Sequence, residues 1–226
     1  VTKRLGQARL GRAHSRTRSL SWIGAALIAA VSATAARSQT AEITAAGEAA
    51  ILSAPATPFA GNPRGSVTIV EYFDVNCPQC RALAPRLAEL IATDPNVRLL
   101  YKDWPIFGGI SVEAAKAELA ATWQGRYLPT HEALITAPTR LASVADLRAR
   151  LKAVGVDLGR LDKDLVDHEQ SIVAILKRNE AEAAKLSFQG TPGLVVGRYI
   201  VPGGLSLENL RILVKASETA ADDRKS

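Results

Sequence analysis

Two cysteines, at positions 77 and 80, constrain this 226-residue chain more than any other feature. They are the only cysteines in it and read Cys77-Pro78-Gln79-Cys80. On their N-terminal side, Val67-Thr68-Ile69-Val70-Glu71-Tyr72-Phe73 is dense in β-branched and aromatic residues and predicts a strand. On their C-terminal side, Leu83, Leu87, Leu90 and Ile91 recur at helical spacing within 81–93. The pair therefore stands where a strand gives way to a helix. Cys77 falls near the unpaired N–H groups of the first helical turn, which favour a thiolate over a thiol. Pro78 suits that turn, because its missing N–H would have no helical partner. Cys80 lies one turn further in, within disulfide reach, and reads as the more buried, resolving thiol. Glu71 is out of place in an apolar strand unless its charge has a task; a surface carboxylate on an edge strand is the other reading.

Charge narrows the function classes. The formal net charge is +6, but residues 1–40 hold seven basic side chains and no acid. The rest of the chain has 21 basic against 22 acidic residues, so no phosphate-tracking surface is expected and no nucleic-acid partner. The basic stretch ends at Arg18, an apolar run covers Trp22 to Val31, and the small residues Ser32-Ala33-Thr34-Ala35-Ala36 follow. That order predicts a secretory signal peptide over 1–36, cleaved after Ala35, Ala36 or a few residues later. The expected destination is the periplasm, with attachment to the membrane as the alternative if the segment is retained. Neighbouring arginines of a twin-arginine signal are absent from it.

Export changes the meaning of the cysteines, since disulfides persist in such compartments. A structural bridge between Cys77 and Cys80 would close a loop of a few residues and restrain little unfolded-state entropy. Zinc would need two further ligands, and His14, His131 and His168 are scattered. Thiol–disulfide exchange is the reading that remains strongest. It needs no metal, haem or nicotinamide, because the cysteines are both nucleophile and redox cofactor.

The remaining chain predicts a segmented α/β unit. Residues 37–61 read as a leader or linker with a short helix near 46–52. Residues 62–106 hold the first strand, the cysteine helix and a second strand over Val97–Trp104. Over 107–186 the pattern is helical: Val112–Thr122 capped by Ser111, His131–Thr136, Val144–Val154 capped by Ser143, and one long helix over Leu158–Leu186. Residues 187–216 return to strands at 193–197 and 199–204 and close with a helix over Leu207–Ala216. Residues 217–226 read as a loose tail. A helical block this long is too large for one crossover helix, so it predicts an insertion. His131 and His168 are expected to be packing or surface residues. Trp104, Trp123 and Tyr127 are expected to be core or interface aromatics.

The stretches Val70–Cys80, Arg98-Leu99-Leu100-Tyr101-Lys102-Asp103-Trp104-Pro105 and Gly190-Thr191-Pro192 resemble the thioredoxin superfamily, and within it the DsbA-like exported thiol:disulfide oxidoreductases. The resemblance spans about residues 60–216. It implies a thioredoxin-like α/β fold with an inserted all-helical domain. It implies that Cys77 is the exposed nucleophile, Cys80 its buried partner, and Glu71 the buried acid that takes the proton of Cys80. Thr191-Pro192 resembles the cis-proline loop, whose backbone pairs with an extended substrate; Pro78, Gln79, Thr191 and Pro192 are thus implied to contact substrate. Lys102 has a family counterpart near the buried acid, with a solvated lysine as the alternative. Gln79 departs from the family's strong oxidants, which carry histidine there, and this implies a less depressed Cys77 pKa. The implied partners are unfolded or partly folded exported proteins with free thiols, and a membrane protein that resets the pair. Oxidation of substrates is the leading function. Isomerase or reductase action on the same fold, or a non-catalytic peptide-binding module, are the alternatives.

Overall fold

Val67–Phe73 (β3) and Val97–Asp103 (β4) pair in parallel along their whole lengths, from Val67 opposite Val97 to Phe73 opposite Asp103. A parallel pair needs a crossover, and Pro78–Thr93 (α2) provides it. The computed structural model describes residues 41–222; the expected signal segment lies outside the described residues. Within them, Ala41–Glu42 (β1), Ala45–Leu52 (α1) and Phe59–Gly61 (β2) precede β3. After β4 come Ile110–Ala121 (α3), Tyr127–Ile135 (α4), Val144–Ala153 (α5), Leu158–Asp167 (α6) and Glu169–Lys185 (α7). Gly193–Val196 (β5), Tyr199–Pro202 (β6) and Leu207–Asp222 (α8) complete the fold. The strands form one sheet in the order β1-β6-β5-β3-β4-β2, antiparallel except for β3–β4.

Strand alternation sends side chains to two separate cores. Ile69 and Phe73 of β3, Leu99 and Tyr101 of β4, and Leu194 and Val196 of β5 share one apolar core. Leu83, Leu87 and Leu90 of α2 and Leu210 and Val214 of α8 complete it, together with residues of the helical insertion. Each fully buried leucine contributes about 2 kcal/mol. On the other face Val70, Tyr72, Leu100 and Val195 pack with Ile51 of α1, Ala183 of α7, and Leu186 and Phe188. Gly193 must be glycine, because a Cβ there would stand 2.5 Å from the Phe188 ring.

Several boundaries differ from expectation, each for a physical reason. Residues 41–61, within the stretch read as leader or linker, supply both edge strands of the sheet as well as α1. β1 and β2 are two and three residues long, too short to show periodicity. The expected long helix breaks at His168, whose ring stacks on Trp123 at 3.9 Å and whose N–H bonds to Asp164 and Val166 carbonyls. Ser111 is not a cap: Gly109, at φ +46°, takes that place, and Ser111 is buried in the first turn of α3. Ser143 does cap α5, accepting from Asp146 N–H. The closing helix continues to Asp222, through the first part of the expected tail.

Two side chains beside the cysteines fasten the sheet unit to the insertion. Arg81 Nη1 donates to the carbonyls of Val75 (3.2 Å) and Leu134 (2.8 Å), and Nη2 to those of Ala137 and Thr139. Buried Asn76 accepts from Leu141 N–H at 2.9 Å. Arg81→Ala leaves the α4 carbonyl end unpartnered, so it should lower stability by about 2 kcal/mol in urea unfolding, with Arg81→Lys recovering less than half.

Candidate active site

Cys77 is the N-cap residue of α2, with extended backbone (φ −70°, ψ 122°) and Pro78 in the first turn. Its sulfur therefore faces the free amides of that turn. Sγ also donates to the Thr191 carbonyl at 3.1 Å, and the Thr191–Pro192 bond is cis. Both thiols are free, Cys80 is fully buried, and Cys77 is only 3 % exposed. Cys77 is thus not the exposed sulfur that the family resemblance implies. The rim supplies the exposure: Pro78 and Gln79 are open to solvent, as are Ile106 (42 %) and Phe107 (51 %). Ile106 reaches within 4.0 Å of the Cβ position of Gly190, so this apolar pair borders the Gly190-Thr191-Pro192 loop. The Phe107 N–H is held by Asp74 Oδ2 at 3.1 Å, while Asp74 Oδ1 accepts from Asn76 N–H.

The electrostatics split the pair. Cys77 is pushed down to about 5, first by the hydrogen bond from the Cys80 thiol, against the opposing effect of burial. Thr191 and the amides of Cys80 and Gln79 lower it further. Thr191 Oγ1 is buried and unpaired beside the thiol, which leaves its hydroxyl proton available to a thiolate. The Cys80 thiol, then the Thr191 hydroxyl and the helix amides, thus lower the Cys77 thiol where no histidine stands. The value lies between about 7 for thioredoxin and about 3.5 for DsbA. Cys80 is pushed far up, by burial first, then by its bond to Cys77 and the charge of Glu71.

Glu71 lies on an inner strand, between β4 and β5, and is 2 % exposed. Desolvation raises its carboxyl to about 7; His131 pulls it down, while Cys77 and Glu118 add to the rise. Such a carboxyl can exchange a proton near neutrality. Lys102 is neither solvated nor beside Glu71. It pairs in register with Tyr72 on the opposite face, fully buried, with Nζ 2.9 Å from Glu182 Oε2. Tyr72 donates to the same oxygen at 3.0 Å.

The structure also gathers residues that sequence reading did not assign to the site. Asp103, Glu118 and His131 are all buried on the Glu71 side of the sheet, near Tyr101 and Tyr127. One signal was present: in α3, Glu118 shares the spacing of Ala114, Ala117 and Ala121, a face of small residues that buries whatever it carries. Among the described residues there is no helix long and apolar enough to cross a membrane.

Two outcomes follow from these shifts. Absorbance of the reduced protein at 240 nm should titrate with a midpoint at about 5 that is absent from Cys77→Ser. A raised carboxyl opposes folding once pH exceeds its unfolded value of 4.5, and does so fully above about 7. Glu71→Gln should therefore be more stable than the parent at pH 8, by roughly 2–3 kcal/mol, and equal to it at pH 4 in urea unfolding.

Comparison with known proteins agrees with this geometry. A family model described as "DSBA-like thioredoxin domain" matches residues 68–215. A thioredoxin-like oxidoreductase from Silicibacter pomeroyi DSS-3 superposes with TM-score 0.72 at 38% identity, covering 76% of this chain and 97% of that one. The thiol-disulfide exchange protein alpha-DsbA2 from Wolbachia pipientis superposes with TM-score 0.70 at 26% identity, covering 75% and 90%. A curated relative, the Na(+)/H(+) antiporter NhaA 1 of Salinispora arenicola, is 27% identical over 175 residues, which is 74% of this chain and 26% of that protein. The chain thus spans about a quarter of the length of the curated relative it matches. With a matching family model over most of its described length and a cysteine pair set at a helix start against a cis-proline loop, the chain belongs to the DSBA-like thioredoxin-domain family, on a thioredoxin-like fold carrying a helical insertion.

Proposed function

We propose that this protein is an exported thiol:disulfide oxidase that introduces disulfides into periplasmic or secreted proteins. The observation that carries the reading is the place of Cys77 at the start of α2, beside the Cys80 thiol and against the Thr191-Pro192 loop, which pushes its thiol down to about 5. A stabilised thiolate lowers the free energy of the reduced form relative to the disulfide, so the disulfide is easier to reduce and the protein oxidises others. At pH 7 only the drop from 7 to about 5 counts, worth about 60 mV toward oxidation. Gln79 in place of histidine supports a potential short of the strongest oxidants. The N-terminal order of basic, apolar and small residues supports export to the periplasm.

The mechanism uses the Cys77–Cys80 disulfide as oxidant. A substrate thiolate attacks Cys77 Sγ, forming a mixed disulfide and releasing the Cys80 sulfur, which takes its proton from Glu71. A second substrate thiolate attacks the substrate sulfur, the substrate disulfide leaves, and Cys77 departs as a thiolate held by the α2 amides. Two electrons pass from substrate to protein. A membrane redox partner then removes them. Substrate approaches along Thr191, whose carbonyl now accepts from Cys77 and would accept from an extended chain instead. The exposed Pro78, Gln79, Ile106 and Phe107 suit a partly unfolded polypeptide, and Pro192 shapes the loop from its buried position.

The test is equilibration with glutathione buffers together with oxidation of a reduced, unfolded client. The oxidase reading expects a potential clearly above the ~−270 mV of thioredoxin and short of the ~−120 mV of DsbA, and complete loss of client oxidation in Cys77→Ser. A potential near ~−270 mV would make the protein a reductant, and client binding and biological activity kept by Cys77→Ser would point to a non-catalytic peptide-binding role.

A further inference from the structure

Glu71 needs a route for its proton, because the sheet and α2 enclose it. The same cavity of about 220 Å3 is lined by Glu71, by His131 and Glu132 of α4, and by Pro85 and Ala88 of α2. The insertion thus walls a mostly apolar, partly open space beneath the cysteine helix, in which Glu71, His131 and Glu132 are among the few polar lining groups. His131 is held rigidly within it. Its ring packs on Phe73 (4.7 Å, edge to face) and Tyr101 (4.4 Å), and its Nδ1 lies 3.0 Å from Glu118 Oε1. With Nδ1 engaged, Nε2 is the ring nitrogen left for the cavity.

Behind His131 the polar chain continues. Tyr127 donates to Asp103 Oδ2 at 2.9 Å, and the buried carboxyls of Asp103 and Glu118 act on each other's proton affinity. Asp103 Oδ1 and Glu118 Oε2 are buried with no hydrogen-bond partner among the described residues. A proton shared between those two oxygens satisfies both. The Asp103–Glu118 pair is therefore a proton store, connected through His131 to the cavity that Glu71 lines. A carboxylate orienting an imidazole in this way fixes which nitrogen exchanges protons.

We propose that His131, oriented by Glu118, is a positioning residue for Glu71 that passes protons between Glu71 and the Asp103–Glu118 pair during thiol–disulfide exchange. This inference rests on the oxidoreductase reading of Cys77 and Cys80. When the reduced pair is oxidised, the Cys77 thiolate first attacks a substrate disulfide, so that one of its sulfurs joins Cys77 and the other leaves as a thiolate. The Cys80 thiol gives its proton to the Glu71 carboxylate, and the Cys80 thiolate attacks Cys77 Sγ. The Cys77–Cys80 bond forms and the substrate leaves as a thiolate. Glu71 passes the proton across the cavity to His131 Nε2, and the Nδ1 proton moves to Glu118 Oε1. Reduction runs the same path backwards.

The titratable groups around His131 are Glu71 from β3, Tyr101 and Asp103 from β4, Glu118 from α3, and Tyr127 and Glu132 from α4. Burial holds the imidazole below its usual range while the Glu71 and Asp103 charges raise it. Burial likewise lifts Glu118, to about 8. His131 pulls the Glu71 carboxyl down, so its removal moves Glu71 further up.

The test follows oxidation of the reduced full chain by glutathione disulfide, using acid quench and mass analysis. The mixed disulfide at Cys77 and the closed Cys77–Cys80 pair are separated by mass. In His131→Phe and His131→Gln the first step should keep its rate. The second step should slow about ten-fold near pH 7, and its pH midpoint should rise by about one unit. Glutamine keeps a polar contact to Glu118 without carrying a proton, so a packing role alone would be restored by it. A wild-type rate and midpoint in either folded variant overturns the proposal. If neither folds, Glu118→Gln is read the same way, and an unchanged midpoint there overturns it. Absence of the first step in the parent protein would instead sink the oxidoreductase reading.

Discussion

The free N–H groups at the start of α2 can act on the Cys77 sulfur only because that helix end is held still on every side. β3 delivers the chain from an inner position in the sheet, and Asp74 and Asn76 tie the connecting loop through buried hydrogen bonds. The cis Thr191–Pro192 loop, anchored by β5, stands opposite. The amides, the Cys80 thiol and the Thr191 groups then converge on one sulfur atom. In water each would be screened or satisfied by solvent; at a site 3 % exposed they act through a lower dielectric.

The same dryness that depresses Cys77 raises its neighbours. Cys80 and Glu71, also buried, lose hydration, and burial outweighs the pull of His131 on Glu71, so both are pushed up toward their neutral forms. That separation assigns the roles: one sulfur is a ready thiolate, the other a protonated thiol, and a carboxyl near 7 stands beneath them. The buried lysine of β4 leaves this balance alone, because strand alternation points it to the opposite core, where Glu182 and Tyr72 satisfy it.

The helical insertion is more than a cover. Arg81, the residue after the second cysteine, reaches four carbonyls, two of them in the loop after α4 and one at its end. Fixing α4 there sets His131 over the Glu71 side of the sheet, and α3 brings Glu118 to it. Buried carboxyls are tolerated only where protons or hydrogen bonds compensate them, and here Tyr127 donates to Asp103 while His131 pairs with Glu118.

The Val67–Phe73 strand, the cysteine helix and the helical block were legible because each rests on local propensity or periodicity, and the thioredoxin-like class was legible through the family resemblance of the cysteine, β4 and Thr191-Pro192 stretches. The cysteine pair was legible because its chemistry depends on neighbours in sequence. Glu71 was legible as a choice between a buried acid and a surface carboxylate on an edge strand, which its inner position between β4 and β5 decides. Edge strands β1 and β2 were not, being too short for periodicity, nor was the break at His168, which depends on the ring of a distant Trp123. Nor were the burial of Cys77, the true face of Lys102, and the meeting of Asp103, Glu118 and His131. The sequence by itself determined which elements form and which atoms can carry electrons. The tertiary structure alone decided the proton affinities, because those depend on desolvation and on partners that strand alternation and the docking of the insertion bring together across long stretches of chain.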